Sequence, residues 1–356
     1  MTKKRTQLSN QKDFSELSEQ ERLEQAERIY VKYDRADKLF NMIDSCRIHS
    51  KKAKDPDCLL ITGASGAGKT RLCERYVKDF PRRRVEKQTE DGIKRVTIVP
   101  VLFVTCPTKA TEKSLAEILL RELGDSEAHK GTLTTQTLRF CSLAKECEVE
   151  LIIIDEFQHL WDRDGEVIRR NVANYVKEII IRTGKPMILV GMPSSKEILD
   201  DNPQLNRRFK RASLDPLMWD PTPQKGSEKP VSEFKAFLSL LDDGLPLKRS
   251  NLADETIAKA FHDATGGVVD RIMRIIHMAT AIALEDGLEK LDMKILSEAY
   301  EIEFRPESPE DNPFGPCFTA PRNPFTNEGS KEHAVSRRVK PKAPKRPSAN
   351  SVLRRR

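Results

Sequence analysis

Apolar positions along this chain fall into two patterns. Short continuous runs stand in "DPDCLLITG" (55–63), "VPVLFVTCP" (99–107), "ELIIIDEFQHL" (150–160) and "KPMILVGMP" (185–193). Runs of this length, rich in Val, Ile and Leu, predict strands buried on both faces, and "ASLDPL" (212–217) is a candidate fifth. Between them the apolar residues recur at helical spacing. "KTRLCERYVKDF" (69–80) is stopped by Pro81, and "TEKSLAEILLRELG" (111–124) ends on Gly124. "TLTTQTLRFCSLAKECEV" (132–149) and "VIRRNVANYVKEIIIRTG" (167–184) follow, and "SSKEILDDNPQLNRRFKR" (194–211) reads as helix and then turn. Upstream, Leu23, Ala26, Ile29 and Tyr30 mark one helix, and a break near "VKYD" leads to another from about Asp34 to Ile48. "RRRVEKQTEDGIKRVTIV" (82–99) alternates around Asp91-Gly92, a hairpin signal.

Strands alternating with helices predict an α/β fold with a parallel sheet covered on both faces. The pattern changes at about residue 221. A Pro-rich stretch, "DPTPQKGSEKP", is followed by four helical patterns without strands, from "SEFKAFLSLLDD" to "DMKILSEAYE". The expected organisation is a flexible N-terminus over 1–20, an α/β core with N-terminal helices over 21–220, a small helical lid domain over 221–304 and a flexible Pro-rich, basic tail over 305–356. The tail carries "NPFG" at 312 and "NPFT" at 323, either loop packing or a pair of docking turns.

Composition refines this picture in two places. The net charge of +7 is uneven: the last 26 residues hold ten Lys and Arg against one Glu, a local +9, which leaves −2 for the rest. The basic balance is therefore a property of the tail, and nucleic-acid binding by the body has to be argued locally. Mean hydropathy is −0.57, and no apolar run approaches the roughly 20 residues of a membrane span, so no membrane partner is expected. Seven cysteines without paired spacing fit free thiols in a reducing, cytoplasmic setting.

The candidate chemistry begins at "GASGAGKT". Gly63, Ala64, Ser65, Gly66, Ala67, Gly68, Lys69 and Thr70 lie between a buried strand and a helix, with Arg71 next. Glycines let backbone N–H groups wrap phosphates, and the helix start adds its dipole. Lys69 reaches the β and γ phosphates, and Thr70 offers a hydroxyl to Mg²⁺. About 85 residues on, "LIIIDEF" places Asp155 and Glu156 at a strand tip. Asp155 is the expected Mg²⁺ partner, and Glu156 is placed to orient or deprotonate the attacking water. The cofactors implied are ATP and Mg²⁺, and the activity is ATP hydrolysis.

Three further elements carry two readings each. Ser194, after "VGMP", is the hydroxyl nearest the fourth strand's tip and a candidate γ-phosphate sensor. Arg207 and Arg208 in "QLNRRF" form either a solvated basic turn or an arginine finger for a neighbouring subunit, with Arg208 slightly favoured. Arg271 at the start of a lid helix either swings onto the phosphates or is an exposed helix charge.

Together "YDRADKLFNMI", "LLITGASGAGKT", "LIIIDEFQHL", "ILVGMP" and "QLNRRF" resemble the TniB/TnsC family of AAA+ transposition ATPases, from Tyr33 to Leu217 and more weakly to Phe304. The resemblance implies a P-loop AAA+ core with a helical lid. It implies a homo-oligomer, ring or helical filament, around duplex DNA held nonspecifically by its backbone. It also implies recruitment of a transposase and a TniQ-type target selector, and disassembly on hydrolysis. By the same resemblance the channel is lined by Lys109 and Lys113 in "CPTKATEKS" and by Lys130 and Thr132 in "HKGTLTTQT". Without it these are ordinary helix N-termini with solvated lysines. Two other readings keep the P-loop: an origin- or helicase-loading AAA+ protein, and a signalling NTPase switch that controls protein docking.

Overall fold

The computed structural model describes residue 14 and residues 17–50, 55–89, 92–108, 110–161, 166–219 and 232–318. Helices α1 (Glu19–Glu27) and α2 (Asp34–Ser50) precede β1 (Cys58–Thr62) and α3 (Lys69–Lys78). A separate antiparallel hairpin, β2 (Arg83–Thr89) and β3 (Gly92–Ile98), leads into β4 (Val101–Thr105), α4 (Glu112–Glu122) and α5 (Leu133–Glu146). Next come β5 (Leu151–Asp155), α6 (Gln158–Trp161), α7 (Glu166–Thr183) and β6 (Met187–Gly191). Two single turns, α8 (Glu197–Asp200) and α9 (Pro203–Asn206), precede β7 (Phe209–Ser213). Beyond 232 come α10 (Glu233–Gly244), α11 (Glu255–Thr265), α12 (Val269–Glu285) and α13 (Met293–Phe304).

The sheet order is β4-β5-β6-β1-β7, and every neighbouring pair is parallel. Successive residues of a strand face opposite sides. Leu59, Ile61, Ile153, Ile188 and Val190 pack against α2, α3 and the lid helices. Leu60, Ile152, Ile154, Met187 and Leu189 pack against α4, α5 and α7. Strands β1, β5 and β6 are buried at every position, which is why they read as unbroken apolar runs.

The fifth strand does not coincide with the one expected over "ASLDPL". It is "FKRAS", three residues earlier. It lies at the sheet edge, where Lys210 pairs with Asp57 at 2.9 Å and Arg211 with Asp200 at 2.6 Å. A strand with a solvated edge is held by its backbone ladder to β1 and needs no apolar run.

Helix α1 is tied to the C-terminal helices. Arg22 Nε donates to the Pro246 carbonyl at 2.9 Å, and its two terminal nitrogens reach Glu289 at 3.1 and 3.0 Å. The hairpin lies on the α5 end of the core, through Lys87–Glu148 and Lys94–Glu146 at 2.7 Å each and through Arg82–Glu122. Its turn residue Asp91 lies outside the described residues, as do the 221–231 stretch, the second Asn-Pro-Phe and the basic segment 331–356. No helix among the described residues is long and apolar enough to cross a membrane.

Packed structure continues past Phe304, beyond the boundary expected at 305. The Asn312 amide donates to the Ser297 carbonyl at 3.1 Å and to Glu301 at 3.0 Å. Phe314 is buried against the rings of Phe261 and Tyr300. The first Asn-Pro-Phe is thus a packing turn. Replacing Phe314 by Ala should lower stability by about 3 kcal/mol, read as a lower denaturant midpoint at unchanged m-value.

Candidate nucleotide site

The carboxyl end of β1 turns through Gly63–Gly68 into α3. A side chain at Gly63 would put its Cβ 2.2 Å from the Leu214 carbonyl oxygen, so only glycine lets the segment after β7 cross here. Gly68 caps α3 at φ +94°, a left-handed conformation that glycine adopts without strain. The loop therefore closes tightly enough to aim the first N–H groups of α3 into a cleft of about 580 Å³. The cleft is bounded by the loop from Ser65 on, by Glu156, Gln158 and Met192, and by Asp270, Met273 and His277 of the lid.

Lys69 is buried, and its ammonium donates to the carbonyls of Gly63 and Ala64 at 2.8 Å each. Burial pushes its pKa down, and the fields of Glu156 and Asp155 oppose that. Thr70 Oγ1 donates to Asp155 Oδ2 at 2.6 Å, and the other carboxylate oxygen accepts the Glu156 N–H at 2.8 Å. Burial pushes the Asp155 carboxyl up, against the pull of these two hydrogen bonds. Glu156 stands at φ +53°, where a non-glycine residue is strained by on the order of 1 kcal/mol.

Gln158 was not singled out by sequence, yet it organises the acidic side. Its amide nitrogen donates to Glu156 Oε2, and its oxygen accepts the Met192 N–H at 3.1 Å. It bridges the candidate base to the tip of β6. Glycine leaves room for these side chains at the tip, since a Cβ at Gly191 would lie 2.5 Å from Ser195 Oγ and 2.9 Å from Gln158 Oε1 and would displace them. The local signal was available in "DEFQHL", where a short turn after the acidic pair carries a polar side chain back to the site.

The remaining candidates divide. Arg71 lines the cleft and donates to the Glu27 carbonyl at 3.1 Å. Ser194 does not line the cleft: Pro193 starts a one-turn 3-10 helix there, and Met192 and Gln158 face the space instead. Arg271 is not brought to the phosphate loop either. Helix α12 turns Asp270, Met273 and His277 toward the cleft, and Arg271, about 100° round from Asp270, acts electrostatically on Tyr300 of α13. Asp270 itself meets the loop, its N–H donating to the Gly66 carbonyl at 3.0 Å.

The two arginines also separate. Arg208, the one favoured by sequence, pairs with Asp55 at 2.9 Å, and its side chain is only 13% exposed. Arg207 is exposed, and its guanidinium has no hydrogen bond or ion pair among the described residues. Of the channel candidates, Lys109 lies outside the described residues. Lys113 is exposed on the first turn of α4. Lys130 pairs with Glu127 at 2.6 Å, and Thr132 is the N-cap of α5.

The residues present fit a nucleoside triphosphate and Mg²⁺. A glycine-enforced cradle, a buried lysine without a carboxylate contact and a Thr–Asp pair supply an anion site beside oxygen ligands suited to a hard cation.

The sequence profile described as "TniB: Bacterial TniB protein" matches residues 22–219. No curated protein sequence matches the chain. Among solved structures, the fold is similar to Cdc6p from Pyrobaculum aerophilum (12% identity, TM-score 0.54, covering 81% of this chain and 72% of that one). It is also similar to two Aeropyrum pernix proteins at 15% identity. One is the ORC2 protein in its ADPNP–ADP complexes (TM-score 0.53, covering 79% and 72%). The other is the ORC1 protein in complex with DNA (TM-score 0.52, covering 79% and 69%). At such identity the likeness shows the fold alone, and that fold is the P-loop AAA+ fold.

The raised pKa of Asp155 makes a signed prediction. A carboxyl raised by burial favours the native state only in its protonated form, so its ionisation costs stability as pH rises above about 4. Asp155→Asn, whose oxygen can still accept the Glu156 N–H while its NH2 donates to Thr70 Oγ1 in the reverse sense, should raise the melting temperature of the nucleotide-free protein at about pH 7. That gain should shrink toward about pH 4. Thermal melts at the two pH values test it; a gain independent of pH would assign the effect to packing.

Proposed function

The chain belongs to the TniB family, and from that membership and the geometry of its cleft we propose that it is an ATP-driven regulator of DNA transposition. It binds Mg²⁺-ATP, assembles as a ring or helical filament on duplex DNA in the cytoplasm, and presents that DNA to a transposase and a TniQ-type target selector. Hydrolysis then disassembles it. The observation that carries the reading is the Thr70–Asp155 hydrogen bond with Glu156 beside it, inside a phosphate loop, in a chain of this family.

In the mechanism this implies, Lys69 exchanges its two carbonyl contacts for phosphate oxygens, and the loop N–H groups hold the rest of the polyphosphate. Thr70 and Asp155 would hold Mg²⁺, which when bound neutralises charge developing on the phosphates. Glu156 takes a proton from, or orients, the attacking water, while Gln158 sets the direction of its carboxylate. The cleft itself offers few cations to a γ-phosphate. Arg71 is engaged with the Glu27 carbonyl, and the polar lid residues that line the cleft are Asp270 and His277, neither an arginine nor a lysine. An arginine from a neighbouring subunit supplies that charge, and of the two candidates in "QLNRRF" Arg207, exposed and without an ion pair among the described residues, is the one free to do so. Arg208 is a structural partner of Asp55.

DNA contact is to the phosphate backbone, through exposed groups at the starts of α4 and α5: Lys113, Lys130 and Thr132, with Lys109 nearby in sequence.

Two experiments test the reading. Arg207→Ala should lower the ATPase turnover by roughly 10³-fold, as should Glu156→Gln; mixing the two variants should restore part of it, because the first keeps Glu156 and the second keeps Arg207. No recovery on mixing, with Arg208→Ala inactive instead, would overturn the assignment. Separately, retention on duplex DNA should require ATP and weaken steeply with salt. The slope of log affinity against log salt should fall by about one for each of Lys113→Ala and Lys130→Ala. Protein that stays monomeric with ATP and duplex DNA would leave only the nucleotide-switch reading.

A further inference from the structure

Helix α1 joins the two halves of the cleft, and polar contacts hold it at both ends. Its last turn carries no basic side chain, so its final carbonyls take donors from other elements. The Glu27 carbonyl accepts Arg71 of the phosphate helix α3 at 3.1 Å. The Ala26 carbonyl accepts a ring N–H of His277 from the lid helix α12. That donor is Nδ1, because Nε2 has no hydrogen-bond partner among the described residues. Arg22 secures the other end. Its guanidinium donates to the Pro246 carbonyl at 2.9 Å and to both Glu289 oxygens at 3.1 and 3.0 Å. These two connections of the helical region are themselves joined, the Lys248 N–H donating to the Glu289 carbonyl at 2.8 Å.

Little else fastens α1. Two of its nine residues, Arg22 and Ala26, are buried, and Leu23 packs on the core only in part. A helix of this length is not stable alone in water, and an element with so few buried apolar contacts opens before the fold as a whole does. The chain becomes fixed again just beyond it. Val31 and Tyr33 are buried, with the Tyr33 ring edge-on to Phe237 at 5.4 Å. The part able to lift is therefore α1 with residues 28–30. It supplies Glu27, Ile29 and Tyr30 to the cleft wall. Lifting it opens that side and leaves Lys69, Thr70, Asp155 and Glu156 in place.

We propose that α1 is a strap across the cleft that lifts to let nucleotide in and out, with the Arg22–Glu289 and Arg22–Pro246 contacts as its latch. This rests on the reading of the cleft as a nucleoside triphosphate site and adds what sets the rate of exchange there. Arg22 and Glu289 stand outside the lining of the cleft, so their effect on exchange is separable from direct contact with the ligand. A hydrogen-bonded charged group whose partner is removed shifts a local equilibrium substantially, and here that equilibrium is strap closed against strap open.

The test is stopped-flow binding and displacement of a ribose-labelled fluorescent ATP with Mg²⁺, on the full-length Glu156→Gln protein so that hydrolysis does not intervene. Adding Arg22→Ala removes the latch, and release should quicken on the order of ten-fold. Association should quicken as well, because the strap lies across the cleft before the nucleotide arrives, so affinity should change less than the release rate. Hydrogen exchange at the α1 amides should rise in the same variant while that of α12 stays slow. Glu289→Gln, which leaves the Pro246 bond in place, should act in the same direction by less, and it stands as a test even if Arg22→Ala does not fold. Unchanged release from a protein whose α1 exchanges faster would overturn the proposal and leave the triphosphate site intact. Faster release at unchanged association would overturn it too, making α1 a binding contact and not a gate. If the parent takes up no triphosphate, or if Lys69→Ala takes it up as well as the parent, the nucleotide reading itself fails and this proposal with it.

Discussion

A buried ammonium group has to be compensated, and Lys69 is not compensated within this chain. Its nitrogen touches two carbonyl oxygens and no carboxylate. Desolvation accordingly dominates its titration, with the fields of Glu156 and Asp155 only partly offsetting it. Yet the surrounding acids cannot simply close on it, because each is held elsewhere: Asp155 by Thr70 and a backbone N–H, Glu156 by Gln158. The site is thus preorganised to take an anion next to a cation. A polyphosphate alone would meet three carboxylates, Asp155, Glu156 and Asp270. A divalent ion alone would meet Lys69. Only the pair answers both, which is the electrostatic case for Mg²⁺ and a nucleoside triphosphate together.

The same loop fixes how the helical region meets the core. The segment after β7 runs across Gly63, with the Leu214 N–H on the Thr62 carbonyl, and then beneath Gly267, with the Leu217 N–H on the Gly267 carbonyl. A Cβ at either glycine would lie 2.2 Å from a carbonyl oxygen of this segment. Three residues further, Asp270 bonds the phosphate loop directly. The loop is therefore joined directly to the first turn of α12, while Arg22 ties α1 to the connections on either side, at Pro246 after α10 and Glu289 after α12.

What the sequence made legible follows from burial. Strands β1, β5 and β6 are covered on both faces, so their composition announces them, and the Gly, Lys and Thr of the loop are constrained by sterics and charge that operate over six or seven residues. Edge strand β7 escaped because its stability comes from a backbone ladder and surface ion pairs. Local pattern also could not show that Arg208 would be claimed by Asp55, 153 residues away in sequence, or that Pro193 would turn Ser194 off the cleft. For Arg271 the sequence left two readings open, and the choice turns on rotation: one residue on a helix is about 100°, and α12 is oriented by Ile272, Ile275, Ile276 and Ala279 in the core, not by its charges. Gln158 is the converse case, a polar side chain whose importance appears only when β6 is seen to end beside it.

The orientation of α12 has one more consequence. It presents the cleft with Asp270, Met273 and His277, and Arg271, for which the sequence left open either a phosphate contact or an exposed helix charge, is not in that lining. On the proposed reading, catalytic positive charge has then been displaced from the lid to the subunit boundary. A lid arginine would let each chain complete its own transition state. Without one, the γ-phosphate is matched only when Arg207 of a neighbour arrives, and hydrolysis becomes conditional on assembly. The exposed, unpaired state of Arg207 is consistent with that division, since a guanidinium already paired at home would have to break an ion pair before it could serve a neighbour.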